Sequence, residues 1–98
     1  MQNECRLSII TVNYNGLRDT CALIDSITFT NDMEVIVVDN ASRSDEASLI
    51  ATRYPQVRVI RSLQNLGFAG GVNAGIRSVL DRETVPPYVI LMNNDTAP

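Results

Sequence analysis

Apolar residues cluster in four short runs, at 7–12, 35–38, 57–60 and 88–92. Val and Ile dominate these runs, and each is too short for a helix, so the pattern predicts β-strands. The runs at 35–38 and 88–92 are apolar at every position, which suits parallel strands covered on both faces. The third alternates Val57, Arg58, Val59, Ile60, Arg61, as a half-exposed edge strand does. Between the strands the period changes to that of a helix. Leu17, Cys21, Ile24 and Ile27 form one stripe, and Ala47, Ile50, Ala51 and Tyr54 a second behind an N-cap expected at Ser42 or Ser44. Phe68, Val72, Ile76 and Leu80 form a third, which Pro86-Pro87 terminates.

The order β-α-β-α-β-α-β predicts an α/β fold built on a parallel sheet. Right-handed crossovers give strand order 3-2-1-4, with helices on both faces: two on one side, and the helix over 68–80 on the other. The direction of winding reverses between strands 1 and 4. Ligands of open α/β sheets bind in the crevice at the carboxyl ends of strands flanking such a reversal. Residues just after strands 1 and 4 are therefore the expected site.

Seven of the nine Asn residues lie in the segments that leave the four strands: Asn13, Asn15, Asn40, Asn65, Asn73, Asn93 and Asn94. Turn chemistry accounts for part of this enrichment. The remainder implies a polar, uncharged rim suited to sugar hydroxyls or the edge of a base. Asp39 ends an otherwise apolar strand. It reads either as a turn-forming acid or as a carboxylate that accepts hydrogen bonds from a ribose or base. Gly67, Gly70, Gly71 and Gly75 crowd the start of the third helix, although each Gly costs about 1 kcal/mol against Ala inside a helix. They allow either close packing on the sheet or close approach of a ligand to backbone N–H groups, and the ligand reading is favoured. No G-x-G-x-x-G follows strand 1. Gly70 and Gly75 have Walker-A spacing but continue into Ile76-Arg77, which excludes a P-loop.

Composition narrows the chemistry. With 8 Arg and no Lys against 11 acids, the chain carries a net charge of −3, which argues against a nucleic-acid partner or a polybasic membrane anchor. It contains no His, so a metal site would need oxygen ligands, which favour Mg²⁺ or Mn²⁺. Asn93-Asn94-Asp95, directly after strand 4, supplies such oxygens. Cys5 and Cys21 match no zinc or redox spacing. No secretory signal or membrane-length apolar run is read, so the expected setting is cytoplasmic.

Four blocks carry a family resemblance: SIITVNYNG at 8–16, VIVVDNAS at 35–42, NLGFAGGVNAG at 65–75 and YVILMNND at 88–95. In this order they resemble inverting GT-A glycosyltransferases of family 2, in the rhamnosyltransferase-like branch. The resemblance implies a partial, Rossmann-like GT-A nucleotide-diphospho-sugar transferase fold. It also implies a UDP- or dTDP-sugar donor and a glycan or lipid-linked acceptor. Thr11, Val12, Asn13 and Tyr14 would hold the uracil or thymine, and Asp39, with Asn40, would bind the base or ribose. Asn65, Gly67 and Asn73 would line the ribose and diphosphate. Asn93, Asn94 and Asp95 stand where the family carries its D-x-D metal motif, with Asn93 replacing the first acid, Asp95 the principal metal ligand and Asn94 on the donor side. Val72 stands where many relatives carry Arg or Asn, so there is less positive charge near the diphosphate.

Residues 1–98 are thus expected to be the N-terminal, donor-binding half of such a domain, with the acceptor half and the catalytic base beyond Pro98. No catalytic residue is assigned within the chain, and membrane association is left open for the full-length protein. Strand 88–92 is expected to be an apolar edge that favours self-association. The alternative is a non-catalytic α/β nucleotide-binding or assembly module.

Overall fold

A computed structural model of the chain describes residues 5–93. The elements follow the predicted order: β1 (Leu7–Asn13), α1 (Leu17–Asp25), β2 (Met33–Asp39), α2 (Glu46–Arg53), β3 (Arg58–Arg61), α3 (Gly67–Leu80) and β4 (Tyr88–Leu91). All pairings are parallel and the strand order is β3-β2-β1-β4, the order of a partial Rossmann-like GT-A fold.

The pleat divides β1 and β2 between two cores. Ile9, Val35 and Val37 face α1 and α2, where they pack with Cys21, Ile24, Ile50 and Tyr54. Ile10, Val12, Ile36 and Val38 face α3 and meet Val72 and Val79. The uninterrupted apolar run of β2 is what a strand covered on both faces requires, and Val35 to Val38 are all buried. The expected helix layers are therefore present, two helices on one face and α3 on the other.

Three details differ from the sequence pattern. The N-cap of α2 is Asp45, whose carboxylate accepts from the Ser48 N–H; the Ser42 hydroxyl is instead held by Asp39. The face of α3 turned to the sheet is Gly71, Val72, Gly75 and Val79, while Phe68 and Leu80 stay outside. A Cβ on Gly75 would lie 2.6 Å from Ile10 Cγ2, and one on Gly71 2.9 Å from Val12 Cγ1. Those two glycines are thus explained by close packing, not by a ligand. Finally, β4 is not covered on both faces. It pairs with β1 alone, and its four residues remain between 39% and 61% exposed.

At the amino end of the sheet, Glu34 on β2 receives a two-pronged contact from Arg82, just beyond α3, and a hydrogen bond from Ser8 on β1. This cluster joins both central strands to the segment that leads into β4. Burial alone would raise the Glu34 pKa, but hydrogen bonds from Arg82 and Ser8, together with the Arg82 charge, outweigh it and hold the carboxyl below its ordinary 4.5.

A carboxyl whose folded pKa is lowered adds stability above its unfolded value, and that stability fades as pH falls through the folded pKa. Urea unfolding between pH 7 and pH 3 is expected to show an acid-side loss that is smaller in Glu34→Gln; an identical pH profile would contradict the ion pair. The exposed β4 leads to a second expectation, that the chain self-associates at high concentration. Light scattering tests it, and a strictly monomeric species would refute it.

Candidate functional site

The first three strand exits and the loop before α3 meet at the carboxyl edge of the sheet, around two asparagines at the ends of adjacent strands. Asn13, the last residue of β1, points under α1 and α2 because it shares the face of Ile9 and Thr11. It is fully buried. Its Oδ1 accepts from the Thr20 hydroxyl at 2.6 Å. Its Nδ2 donates to Asp39 Oδ1 at 2.8 Å and to Glu46 Oε1 at 2.9 Å, with a longer contact to Ser42 Oγ. The two carboxylates fix which end of the amide carries the hydrogens. Asp39 accepts further from the Ser42 hydroxyl at 2.7 Å and, through Oδ2, from the Ser42 N–H at 3.3 Å. The turn-forming reading of Asp39 is therefore realised in the structure.

Asn40 begins the second part of the site. Its N–H donates to the Asn13 carbonyl, which ties the β2 exit to β1. Its side chain reaches the loop before α3: Oδ1 accepts from the Leu66 N–H, and Nδ2 donates to the Gly67 carbonyl at 2.8 Å. Gly67 has φ +74° with nothing within 4 Å of a Cβ placed there, so the need for glycine is conformational. Asn15 (φ 51°) and Ala41 (φ 62°) also have left-handed backbones. Asn tolerates this conformation, whereas Ala is strained in it by about 1–2 kcal/mol. The Asn15 carboxamide oxygen accepts from the Arg43 N–H, and the Asn15 N–H donates to Ser42 Oγ, so the first two exits are locked together.

A cleft of about 260 Å³ opens above this framework, lined by Val12, Tyr14, Asn40, Asn65, Gly67 and Phe68. Asp39 and Ala41, on either side of Asn40 in sequence, line a second cleft of about 360 Å³ with Arg43 and Arg61 among its walls. Arg61 is paired with Asp45 at 2.7 Å; its hydrogen bond, with those from Ser48, pushes the Asp45 carboxyl down to about 2. A larger groove of about 750 Å³ runs between α1 and α2, lined by Leu17, Leu49 and Arg53 among others, and no residue expected at the site lines it.

Val12, Tyr14, Asn40, Asn65 and Gly67 thus gather in one cleft, and Asp39 borders its neighbour. Thr11 and Asn13 lie apart from both clefts. Both are buried on the α1/α2 face and line neither cleft. The Thr11 hydroxyl has no hydrogen-bond partner among the described residues. Asn73 is exposed and lines neither cleft, because it sits about 200° around α3 from the inward Gly71. Asn93 is exposed just beyond β4, where the Met92 N–H bonds to the Ile10 carbonyl. Asn94 and Asp95 lie outside the described residues. The described residues contain no group of three or more His, Cys, Asp or Glu placed to hold a metal.

Sequence reasoning missed Thr20, Ser42 and Glu46 as members of the Asn13 cluster, and Phe68 as a wall of the cleft. Nothing in the spacing 13, 20, 39, 46 marks those residues as neighbours; the crossovers bring them together. Phe68 carried a helical signal, but it pointed to the core.

The sequence model of Glycosyl transferase family 2 matches residues 8–98. The low-salt glycan biosynthesis hexosyltransferase of Haloferax volcanii is 37% identical over 89 residues, which covers 91% of this chain and 27% of that protein's length. The chain therefore spans about a quarter of the curated relative it matches.

Removing the Asn13 amide would leave two buried carboxylates and a threonine hydroxyl without their shared partner. Asn13→Ala is expected to lower stability by about 2–3 kcal/mol, against less than about 0.5 kcal/mol for exposed Asn73→Ala. Urea denaturation of both variants measures the difference, and equal effects would contradict the network.

Proposed function

The chain belongs to glycosyl transferase family 2, and we propose that residues 1–98 form the part of an inverting transferase that binds a UDP- or dTDP-sugar. The observation that carries this reading is the cleft of Val12, Tyr14, Asn40, Asn65, Gly67 and Phe68, at the carboxyl edge of a parallel sheet, between the β1 and β2 exits and the start of α3. Neutral amides and a glycine backbone on its walls suit a nucleotide, whose base and ribose offer hydrogen-bonding edges rather than charge. Asp39 keeps Oδ2 with only a long bond from the Ser42 N–H, so it retains capacity to accept from a ribose or base.

The acceptor, a glycan or a lipid-linked saccharide, would be engaged by residues outside this chain. The relative's name, which speaks of hexosyl transfer in glycan biosynthesis, supports a hexose donor. Asp95, with Asn93 and Asn94, would hold Mg²⁺ or Mn²⁺, an assignment supported by a hard-oxygen donor set in a chain without His. Such an ion, when bound, neutralises the departing diphosphate. A cytoplasmic setting belongs to the same reading, and the two free thiols, Cys5 and Cys21, support it.

Titration of the chain with UDP and dTDP, with and without Mn²⁺, tests the proposal. Binding that tightens with Mn²⁺ is expected, and Asp95→Ala should abolish the tightening. Equal, metal-independent affinity in both proteins would remove Asp95 from the metal role, and absence of nucleotide binding would overturn the whole reading.

A further inference from the structure

Asp39 and Glu46 are both buried, yet neither is paired with an Arg among the described residues. The two carboxylates share one neutral donor instead: Asn13 Nδ2 reaches Asp39 Oδ1 at 2.8 Å and Glu46 Oε1 at 2.9 Å. Burying a carboxylate costs free energy that its hydrogen bonds must offset. Glu46 lies in the first turn of α2, beside the Asp45 N-cap, where an acid left in water would serve the helix dipole as well. The helix alone therefore gives no reason for Glu46 to turn inward.

The reason lies in what the Asn13 amide does next. Its Oδ1 accepts from Thr20 on α1, and its two Nδ2 hydrogens meet one carboxylate on β2 and one on α2. Thr20 and Glu46 thus hold the amide plane from two helices, and the amide holds Asp39. On Asp39, Oδ1 takes both the Asn13 amide and the Ser42 hydroxyl, which leaves Oδ2 with one 3.3 Å bond from the Ser42 N–H. Asp39 borders the cleft of Arg43 and Arg61, whereas Asn13 and Glu46 line neither cleft at the carboxyl edge. The hydrogen-bonded route from Glu46 to that cleft runs through Asn13.

We infer that Glu46 is a positioning residue for the donor site. It aligns the Asn13 amide, and that amide sets the rotation of the Asp39 carboxylate so that Oδ2 is presented at the cleft. The inference rests on the donor-binding reading, in which Asp39 accepts from a ribose or base, and deepens it by placing control of that acceptor on α2, out of reach of the ligand. It gives Asn13 the part of an aligning link rather than of a base contact, in keeping with its complete burial. A hydrogen-bond acceptor contributes to binding only when its lone pair is held in line with the incoming donor.

The test is a double-mutant cycle on the full chain with UDP as the probe, read by calorimetry well below each variant's unfolding midpoint. Asp39→Asn keeps its carbonyl oxygen inward, where Asn13 and Ser42 donate, and puts an amide donor in place of Oδ2. It should weaken UDP binding about 10- to 100-fold, the range of a lost hydrogen bond to a charged group. Glu46→Ala should weaken it about 3- to 10-fold. Glu46→Gln drops the charge but keeps an oxygen that accepts from Asn13, so it should stay within about twofold of the native affinity. In the Asp39→Asn background Glu46→Ala should cost nothing further, because no acceptor remains to be aligned; a merely structural role would cost the same in both backgrounds. If Glu46→Ala does not fold, Thr20→Val, which removes the donor to Asn13 Oδ1, takes its place in the cycle. Additive effects, or native affinity in Glu46→Ala or Asp39→Asn, would overturn the positioning role while leaving donor binding intact. Failure of the native chain to bind UDP would overturn both.

Discussion

Helix α3 reaches its position only because Gly71 and Gly75 carry no side chain. A Cβ at either place would fall within 3 Å of a Val12 or Ile10 methyl, on a strand that is itself pinned by parallel neighbours on both sides. Seating α3 this low brings its first turn to the end of β1. There Asn40 can clamp the Leu66 N–H and the Gly67 carbonyl with a single carboxamide. The small cleft is the space left between that clamped loop and the β1 exit. Its shape therefore follows from a packing distance rather than from any flexible loop.

The second constraint is the burial of polar groups beneath the exits. Asn13 lies at the end of the strand most deeply embedded in the sheet, where a polar side chain is tolerated only when its hydrogen-bonding capacity is met. Thr20 from α1, Asp39 from β2 and Glu46 from α2 meet it. Each belongs to a different element, so the cluster fixes the mutual placement of two strands and two helices at the carboxyl edge of the sheet. Asp39 is oriented in the process: Oδ1 is engaged inward, and Oδ2 keeps capacity at the edge of the neighbouring cleft. At the opposite end, the Glu34–Arg82–Ser8 group joins the same two strands to the segment leading into β4. The sheet is thus tied by polar contacts at both ends and by apolar packing between them.

Much of this was legible in the chain. Strand identity followed from β-branched runs, and strand order from alternating periodicity together with the handedness of crossovers; both are local or combinatorial properties. Five of the expected binding residues, Val12, Tyr14, Asn40, Asn65 and Gly67, line one cleft because they sit at strand exits or a helix start, and open parallel sheets gather such positions at one edge. The glycine cluster was legible only as an anomaly. Its division into Gly67, required for a left-handed backbone, and Gly71 with Gly75, required for packing, depends on distances to Val12 and Ile10 that no spacing encodes.

The amino-acid order by itself determined the elements, their sequence around the sheet and the edge where chemistry gathers, because each is set by a residue's own face preference and its nearest neighbours. Tertiary structure alone decided which polar residues are buried scaffold and which line a cleft. Thr11 and Asn13 share their β1 exit with Val12 and Tyr14, yet pleat parity turns the first two under α1 and α2, while Val12 packs toward α3 and borders the cleft. Phe68 belongs to the same helical stripe as Val72, yet the low seat of α3 rotates a glycine face inward and leaves the ring at the cleft. Both outcomes turn on the orientation of one packed element against another, which exists only when the whole sheet has formed.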